Sequence, residues 1–339
     1  MPIRTLDANA PDAVFSFLDQ VISSRGREHW RWKYRLGAAA PPSAFYWEEP
    51  DGRILGFIGM MRTNLHSRSQ CHPAAWFVDW HVHAGAGVGL GLLRKAEAAA
   101  GILLTLQGSP DTRKILPRLG WKQSLTPTTW VRPLTARLLA EWAARRAAAP
   151  LRGVARVAAR AAKPLLRCRE PVASSGTALV DVDRFPVEYD EVWRARATEF
   201  APAMSRDSSY INYLCADYPG AGYRLQLLRD GGSTVGHLIS RLDVDRRGFR
   251  RGRIVDAVWP RSSAALAGWL IQSACWQLQR GGADYAQLVL SAPDLREVVR
   301  RNRFRCRGTV PIWYHCVPPE APDPDSWYIT FLDCDRAYR

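Results

Sequence analysis

The order of segments in the first half of the chain recurs in the second half at a near-constant shift, and this constrains the fold more than any other feature. His29-Trp30-Arg31-Trp32-Lys33-Tyr34 is followed by a Pro-rich gap, an aromatic strand (Ala44-Phe45-Tyr46-Trp47), a charged turn at Asp51-Gly52 and an alternating strand from Ile54 to Met60. The second half answers with Tyr210-Ile211-Asn212-Tyr213-Leu214-Cys215, a Pro-Gly gap, a strand from Tyr223 to Leu227, a turn at Asp230-Gly231-Gly232 and a strand from Thr234 to Ile239. Phe77-Val78-Asp79-Trp80 corresponds to Ile254-Val255-Asp256-Ala257, the run Leu104 to Ser109 to Leu288 to Ser291, and Leu119-Gly120-Trp121 to Arg303-Phe304. The separation stays at about 180 residues across these landmarks, so the chain reads as two copies of one fold.

Each copy reads as a helix, hairpin-connected strands, a strand carrying an aspartate, a helix, a strand, a short helix and a final strand. That order describes an α/β fold with a mixed sheet and helices on both faces. The boundaries fall at 1–133 for the first domain, 134–171 for a helical linker and 172–339 for the second domain. Hydrophobic residues make up 47% and charged residues 23% of the 339, which excludes a disordered chain. No apolar run approaches the ~20 residues of a membrane span, and no apolar region follows the arginine near the start. The expected location is cytoplasmic, with the inner membrane face as a peripheral option. Seven cysteines without Cys-x-x-Cys spacing point to neither a zinc ribbon nor a disulfide framework, and no metal is expected. Fourteen tryptophans suggest well-filled cores, and the set Trp30, Trp32 and Tyr34 reads as core before it reads as a sugar-stacking platform.

The net charge of +15 resembles a nucleic-acid signal until it is located. Between Thr135 and Arg169 stand nine basic residues against Glu141 alone, so more than half of the excess lies in one short segment. Arg152, Arg156 and Arg160 recur every four residues and share a face. The plain reading is a linker helix that rests its apolar side on one lobe. The alternative is an anionic partner, either a membrane surface or RNA, and the lipid or solubility use is favoured over RNA because neither lobe shows an aromatic-basic ribbon.

Candidate chemistry lies after the first aspartate-bearing strand. The turn Gly85-Ala86-Gly87-Val88-Gly89-Leu90-Gly91 opens a Leu-rich helix, and glycines there let backbone amides approach a phosphate at the helix N-terminus. In the strand from Trp76 to His83, alternation sets Asp79, His81 and His83 on one face and Val78, Trp80 and Val82 on the other. An aspartate two residues from a histidine supplies a base near neutral pH and a group to orient it. Asp79 also reads as a strand-end carboxylate paired with an arginine, which its counterpart Asp256 favours.

These motifs resemble the Gcn5-related N-acetyltransferase superfamily. Val82-His83-Ala84-Gly85-Ala86-Gly87-Val88-Gly89-Leu90-Gly91 is similar to the family's pyrophosphate-binding turn, with Gly87 and Gly89 on its glycine positions and Ala84 where the family has Arg or Gln. The stretch Ser109 to Trp121 is similar to the family's second motif, with Leu116 where many members have the tyrosine that protonates the departing thiolate, and Ser109 in place of an asparagine. The likeness covers both halves, linker excepted, and looks most like tandem versions found beside bacterial polysaccharide genes. It implies acetyl-CoA or another acyl-CoA as substrate, bound by Val82, Gly85, Gly87, Val88, Gly89 and Ser109. Asp79, His81 and His83 are then the catalytic candidates, and the acceptor is a small amine or amino sugar. After Asp256 the chain keeps one glycine, Gly268, before Trp269, so only the first copy is expected to hold acyl-CoA, with the second as acceptor wall or scaffold. Two alternatives remain. One is an aminoacyl-tRNA-dependent transferase that grips tRNA through the linker and Arg246, Arg247, Arg250, Arg251 and Arg253. The other is an inactive adaptor, suggested by Ala84 and Leu116.

Overall fold

The computed structural model describes the chain except residues 1–2, 37–40, 68–69, 107, 125–126, 162, 221, 293–294, 317–326 and 336–339. The side chains of Arg152, Arg156 and Arg160 also lie outside the described set. In chain order the first half contains β1 (Ile3–Thr5), α1 (Asp12–Val21), α2 (Arg27–Lys33), β2 (Ala44–Glu48), β3 (Ile54–His66), β4 (Cys71–Val82), α3 (Gly89–Ala99), β5 (Ile102–Leu106), α4 (Pro110–Ile115), β6 (Lys122–Ser124) and β7 (Thr128–Pro133). The linker follows as α5 (Ala136–Arg146), α6 (Arg152–Ala161) and α7 (Lys163–Leu166). The second half contains β8 (Ala178–Val182), α8 (Tyr189–Phe200), β9 (Ala203–Met204), α9 (Ser208–Ile211), β10 (Tyr223–Asp230), β11 (Ser233–Val244), β12 (Arg250–Val258), α10 (Ala264–Arg280), β13 (Tyr285–Leu290), α11 (Arg296–Arg301), β14 (Arg305–Thr309) and β15 (Ile312–Cys316).

Two mixed sheets form, as the element order predicts. The first runs β1-β2-β3-β4-β5-β15-β6, with β9 pairing β3, and the second runs β14-β7-β13-β12-β11-β10-β8. Each holds one parallel pair, β4 with β5 and β12 with β13, spanned by α3 and α10 respectively. Such crossovers need a helix between parallel strands. The sheets also exchange strands. Pro133, the expected end of the first domain, closes β7, which lies between β13 and β14 of the second sheet. In return β15 lies between β5 and β6 of the first. Corresponding aromatics meet where the halves touch: Trp32 Nε1 donates to the Tyr213 carbonyl at 2.6 Å, and Tyr213 Oη donates to the Lys33 carbonyl at 2.5 Å.

Helix α3 shows why these elements form where they do. Leu92, Leu93 and Ala96 repeat at helical spacing and are buried with Phe45, Ile58, Phe77 and Trp121 on one side of the first sheet. Trp30 and Tyr34 pack on the other side, each at most 2% exposed, as the core reading expects. The linker departs from expectation. Helix α5 buries Leu138 against Phe249 and Tyr285 of the second half, whereas α6 packs chiefly on α5 and buries Ala159, with Val154 and Val157 exposed. The apolar residues Val154, Val157, Ala158 and Ala161 of α6 therefore face outward and do not rest on a lobe.

Candidate active site

Strands β4 and β5 pair over only three residues, Ala74 with Ile102 to Trp76 with Leu104, and then part. The gap opens into a cleft of about 1160 Å³ between the end of β4, the glycine turn, and the segment from Thr105 through Thr112. A larger hollow of about 1490 Å³ lies along the linker, but it lacks the histidines and the glycine turn. Asp79, Val82, His81, His83, Gly85, Gly87, Gly89 and Ser109 all line the cleft. Of the sequence candidates only Val88 stands back. It is 7% exposed and packs under Gly56 as the N-cap of α3, leaving its backbone to face the turn.

The turn has the backbone that the glycines imply. Gly85 and Gly87 adopt φ of +80° and +68°, a region that side chains disfavour. Gly89 differs in being closely packed: a Cβ there would sit 3.3 Å from the side chains of Trp80 and Val82, which would have to give way. Ser109 caps α4, its Oγ accepting from the Thr112 amide at 3.1 Å. Leu116 is fully buried in the core beneath α3, so no proton donor occupies the position that carries a tyrosine in many members of the family it resembles.

Alternation along β4 is interrupted at Asp79. Pairing with β3 jumps from Phe57 with His81 to Gly59 with Val78, so Asp79 and Trp80 together oppose Ile58, and Asp79 takes φ +49°. This bulge resets the faces. Val78 joins the Tyr34 side rather than the α3 side, which corrects the expected grouping of Val78 with Trp80 and Val82. His81 lies opposite Phe57, also on the Tyr34 side, and the His83 ring meets Phe17 edge-on at 5.3 Å. The Asp79 carboxylate is buried, and it accepts from Lys33 Nζ and, at 2.6 Å, from Tyr34 Oη. Its cation is thus a lysine, where the structural reading expected an arginine. Lys33 is 2% exposed and lies 3.8 Å from a second carboxylate, Asp335.

Asp335 and its neighbour Cys334 line the cleft of the first half although they come from the far end of the chain. Sequence reasoning missed both, and the repeat could not flag them because they have no counterpart in the first copy. They are delivered by the buried segment 327–335, which fills the equivalent gap in the second half. There β12 and β13 pair from Arg251 with Tyr285 to Ile254 with Leu288 and then part. Leu332 donates its amide to the Val255 carbonyl at 3.1 Å, Tyr328 Oη to the Ala257 carbonyl at 2.8 Å, and Ile329 its amide to Ser291 Oγ at 2.8 Å. Asp256, the counterpart of Asp79, accepts from Arg206 at 2.9 Å, Thr330 at 2.7 Å and His237 at 2.9 Å, and Arg206 also reaches Asp333 at 2.7 Å. Burial opposes ionisation of Asp256, but Arg206 and these hydrogen bonds outweigh it and hold its pKa down to about 2. The counterpart of the cleft is thereby occupied by the protein itself.

No protein-family sequence model matches the chain, and no curated protein sequence does. Solved structures do. A GCN5-related N-acetyltransferase from Anabaena variabilis superposes with a TM-score of 0.61 at 14% identity, covering 92% of this chain and 72% of that one. N-myristoyltransferase from Saccharomyces cerevisiae with bound myristoyl-CoA gives 0.60 at 10% identity, over 96% and 83%. A probable N-acyltransferase from Enterococcus faecalis gives 0.59 at 9% identity, over 93% and 72%. At these identities the likeness is one of fold, and the fold of this chain is that of the GCN5-related N-acetyltransferases, with two mixed sheets.

Proposed function

We propose that the protein is an acyl-CoA-dependent N-acyltransferase acting on an amine, with an amino sugar as the favoured acceptor class. The observation that carries this reading is the parting of β4 from β5 beside a left-handed glycine turn that opens α3. Amides at the turn and the positive end of the eleven-residue helix suit a pyrophosphate, for which Gly85, Gly87, Val88 and Gly89 offer backbone and Val82 and Ser109 offer walls. An acyl thioester lying in the gap brings its carbonyl toward the bulge at Asp79.

Transfer forms a C–N bond and breaks the C–S bond, and the amine must lose a proton while the thiolate gains one. His81 and His83, on the cleft side of β4, are suited to take that proton directly or through water. Asp79, held by Lys33 and Tyr34, fixes the local backbone and charge, and Asp335 adds a carboxylate that suits an incoming ammonium. With a leucine at position 116, the thiolate is protonated from solvent or from the base itself.

Calorimetry with acetyl-CoA should give one site per chain, because residues 327–335 fill the second gap. Leu90→Glu, at an exposed position on the cleft wall, adds negative charge beside the pyrophosphate without disturbing a left-handed glycine and should abolish binding; Gly87→Glu should do the same. His81→Gln should lower kcat by ~10²–10⁴ while leaving the CoA Kd nearly unchanged. Two equivalent sites, or unchanged affinity in both charge variants, would overturn the site. CoA binding without turnover on any amine would favour the inactive adaptor, and activity that requires charged tRNA would favour the aminoacyl transferase.

A further inference from the structure

The linker carries a surface that acyl transfer does not use. Of the ten large hydrophobic residues exposed among the described residues, five fall between positions 151 and 172. Val154 and Val157 on α6 are 67% and 65% exposed, and Leu151 just before it and Leu165 in α7 are 57% and 69% exposed. Ala158 and Ala161 are exposed as well. Val154, Ala158 and Ala161 are spaced by four and three residues and so share one stripe along α6, with Val157 beside it, while Leu151 and Leu165 are exposed in the elements that flank the helix. Ala159, on the opposite side, is the buried one. Single exposed apolar residues are ordinary, whereas a contiguous stripe marks a surface that something covers.

The charge around the stripe selects the occupant. Nine basic residues and one acidic residue lie between Thr135 and Arg169. Lys163, Arg167 and Arg169, in the segment that follows α6, are exposed and, with Arg137 and Trp276, line the hollow along the linker, whose other charged members are Glu141 and Glu170. RNA phosphates would use the basic residues but leave the valines bare. A bilayer with anionic headgroups uses both, since an amphipathic helix lies with its apolar side among the acyl-chain ends and its cations at the phosphates. At ten residues α6 is ~15 Å long, which suits lying on a membrane and not crossing one. We propose that α6 docks the protein on an anionic lipid surface, valine stripe inward, with Lys163, Arg167 and Arg169 against lipid phosphates.

Sedimentation of the full chain with unilamellar vesicles tests this. Vesicles of phosphatidylcholine and phosphatidylglycerol at ~3:1 should retain the protein at least tenfold more strongly than phosphatidylcholine alone, and added salt should reduce the difference. Val154→Ser with Val157→Ser should cut retention by ~tenfold through lost apolar burial while leaving Tm unchanged, because both side chains are exposed. Lys163→Gln, Arg167→Gln and Arg169→Gln should each cut it by ~fivefold, which corresponds to ~1 kcal/mol per basic residue at the surface. Retention unaffected by the valine pair would overturn the proposal, as would equal retention on neutral vesicles. A dimer in sedimentation equilibrium that the valine pair disrupts, with no vesicle binding, would assign the stripe to a second copy of the chain. Salt-steep RNA binding without vesicle binding would assign the linker to RNA. Either of these also overturns the lipid reading.

Discussion

Asp79 is where backbone and electrostatics constrain each other most tightly. A left-handed φ of +49° is unfavourable for most side chains but tolerable for Asp or Asn, and the carboxylate it positions neutralises a lysine that has almost no contact with solvent. Two largely buried carboxyl groups, Asp79 and Asp335, lie against that same lysine at the edge of the cleft. Removing one member of a buried pair leaves the other uncompensated, at a cost of ~3–5 kcal/mol. Asp79→Ala and Lys33→Met should each lower unfolding stability by about that much in urea titrations. The double variant Lys33→Met with Asp79→Asn should lose clearly less than the sum of the single losses, because asparagine carries no charge that needs the lysine and accepts the left-handed backbone while still bonding Tyr34. Additive losses in the double variant would show that the pair is not coupled. That Asp79 would be buried beside Lys33 was not legible in the sequence. The alternation argument grouped it correctly with His81 and His83, but assigned Val78 to the wrong face, since nothing in Phe77-Val78-Asp79-Trp80 announces the bulge that shifts the register.

Segment 327–335 contributes to both halves without being a strand or helix of either. Its apolar residues Trp327, Ile329 and Leu332 are fully buried, and backbone hydrogen bonds tie it to Val255 of β12, to Ser291 just after β13 and to the Pro202 carbonyl, satisfying groups that a parted sheet would leave open. Ser291 is the pivot, donating to the Trp327 carbonyl and accepting from the Ile329 amide. Ser291→Ala leaves both partners buried without it and should cost ~1–3 kcal/mol, with faster amide exchange concentrated at Ile329 and Leu332. Uniformly unchanged exchange would mean that the segment is held without Ser291. The paired elements and the glycine turn were legible because their signals are local: period, turn residues, and a repeated order of segments. This segment was not, because its spacing follows no period and its partners stand tens of residues away, as with Thr330 and Asp256 or Arg206 and Asp333. The absence of a second glycine turn suggested that the second copy lacks a ligand, but not that the protein's own chain occupies the gap.

At the scale of the molecule, the reciprocal exchange of β7 and β15 decides what can fold alone. The repeat makes the two halves look separable near residue 133, yet each sheet is completed by a strand from the other half. Among the described residues β6 is bonded only to β15, and β14 only to β7, so a fragment ending at residue 133 would lose the partner of β6 and leave β7 with nothing to pair. It would also expose the edge of β5, which β15 covers from Ile312 to Cys316, and would lack Trp313, which packs in the core beneath α3. Unpaired apolar edges favour aggregation. The fragment beginning at residue 134 would in turn leave β13 and β14 without the strand between them. Fragments 1–148 and 149–339, divided in the linker after α5, should therefore each be insoluble or molten when expressed alone. Co-expressed, they should assemble into a one-to-one complex that binds acetyl-CoA, since every strand then has its partner and the divided connection carries none of the hydrogen bonds within either sheet. Circular dichroism and size exclusion on each fragment check the first half of this expectation, and calorimetry on the complex checks the second. If either fragment alone gives a cooperative thermal transition as a monomer, the exchange is not required for folding, and the independent domains that the repeat suggests would be the better description.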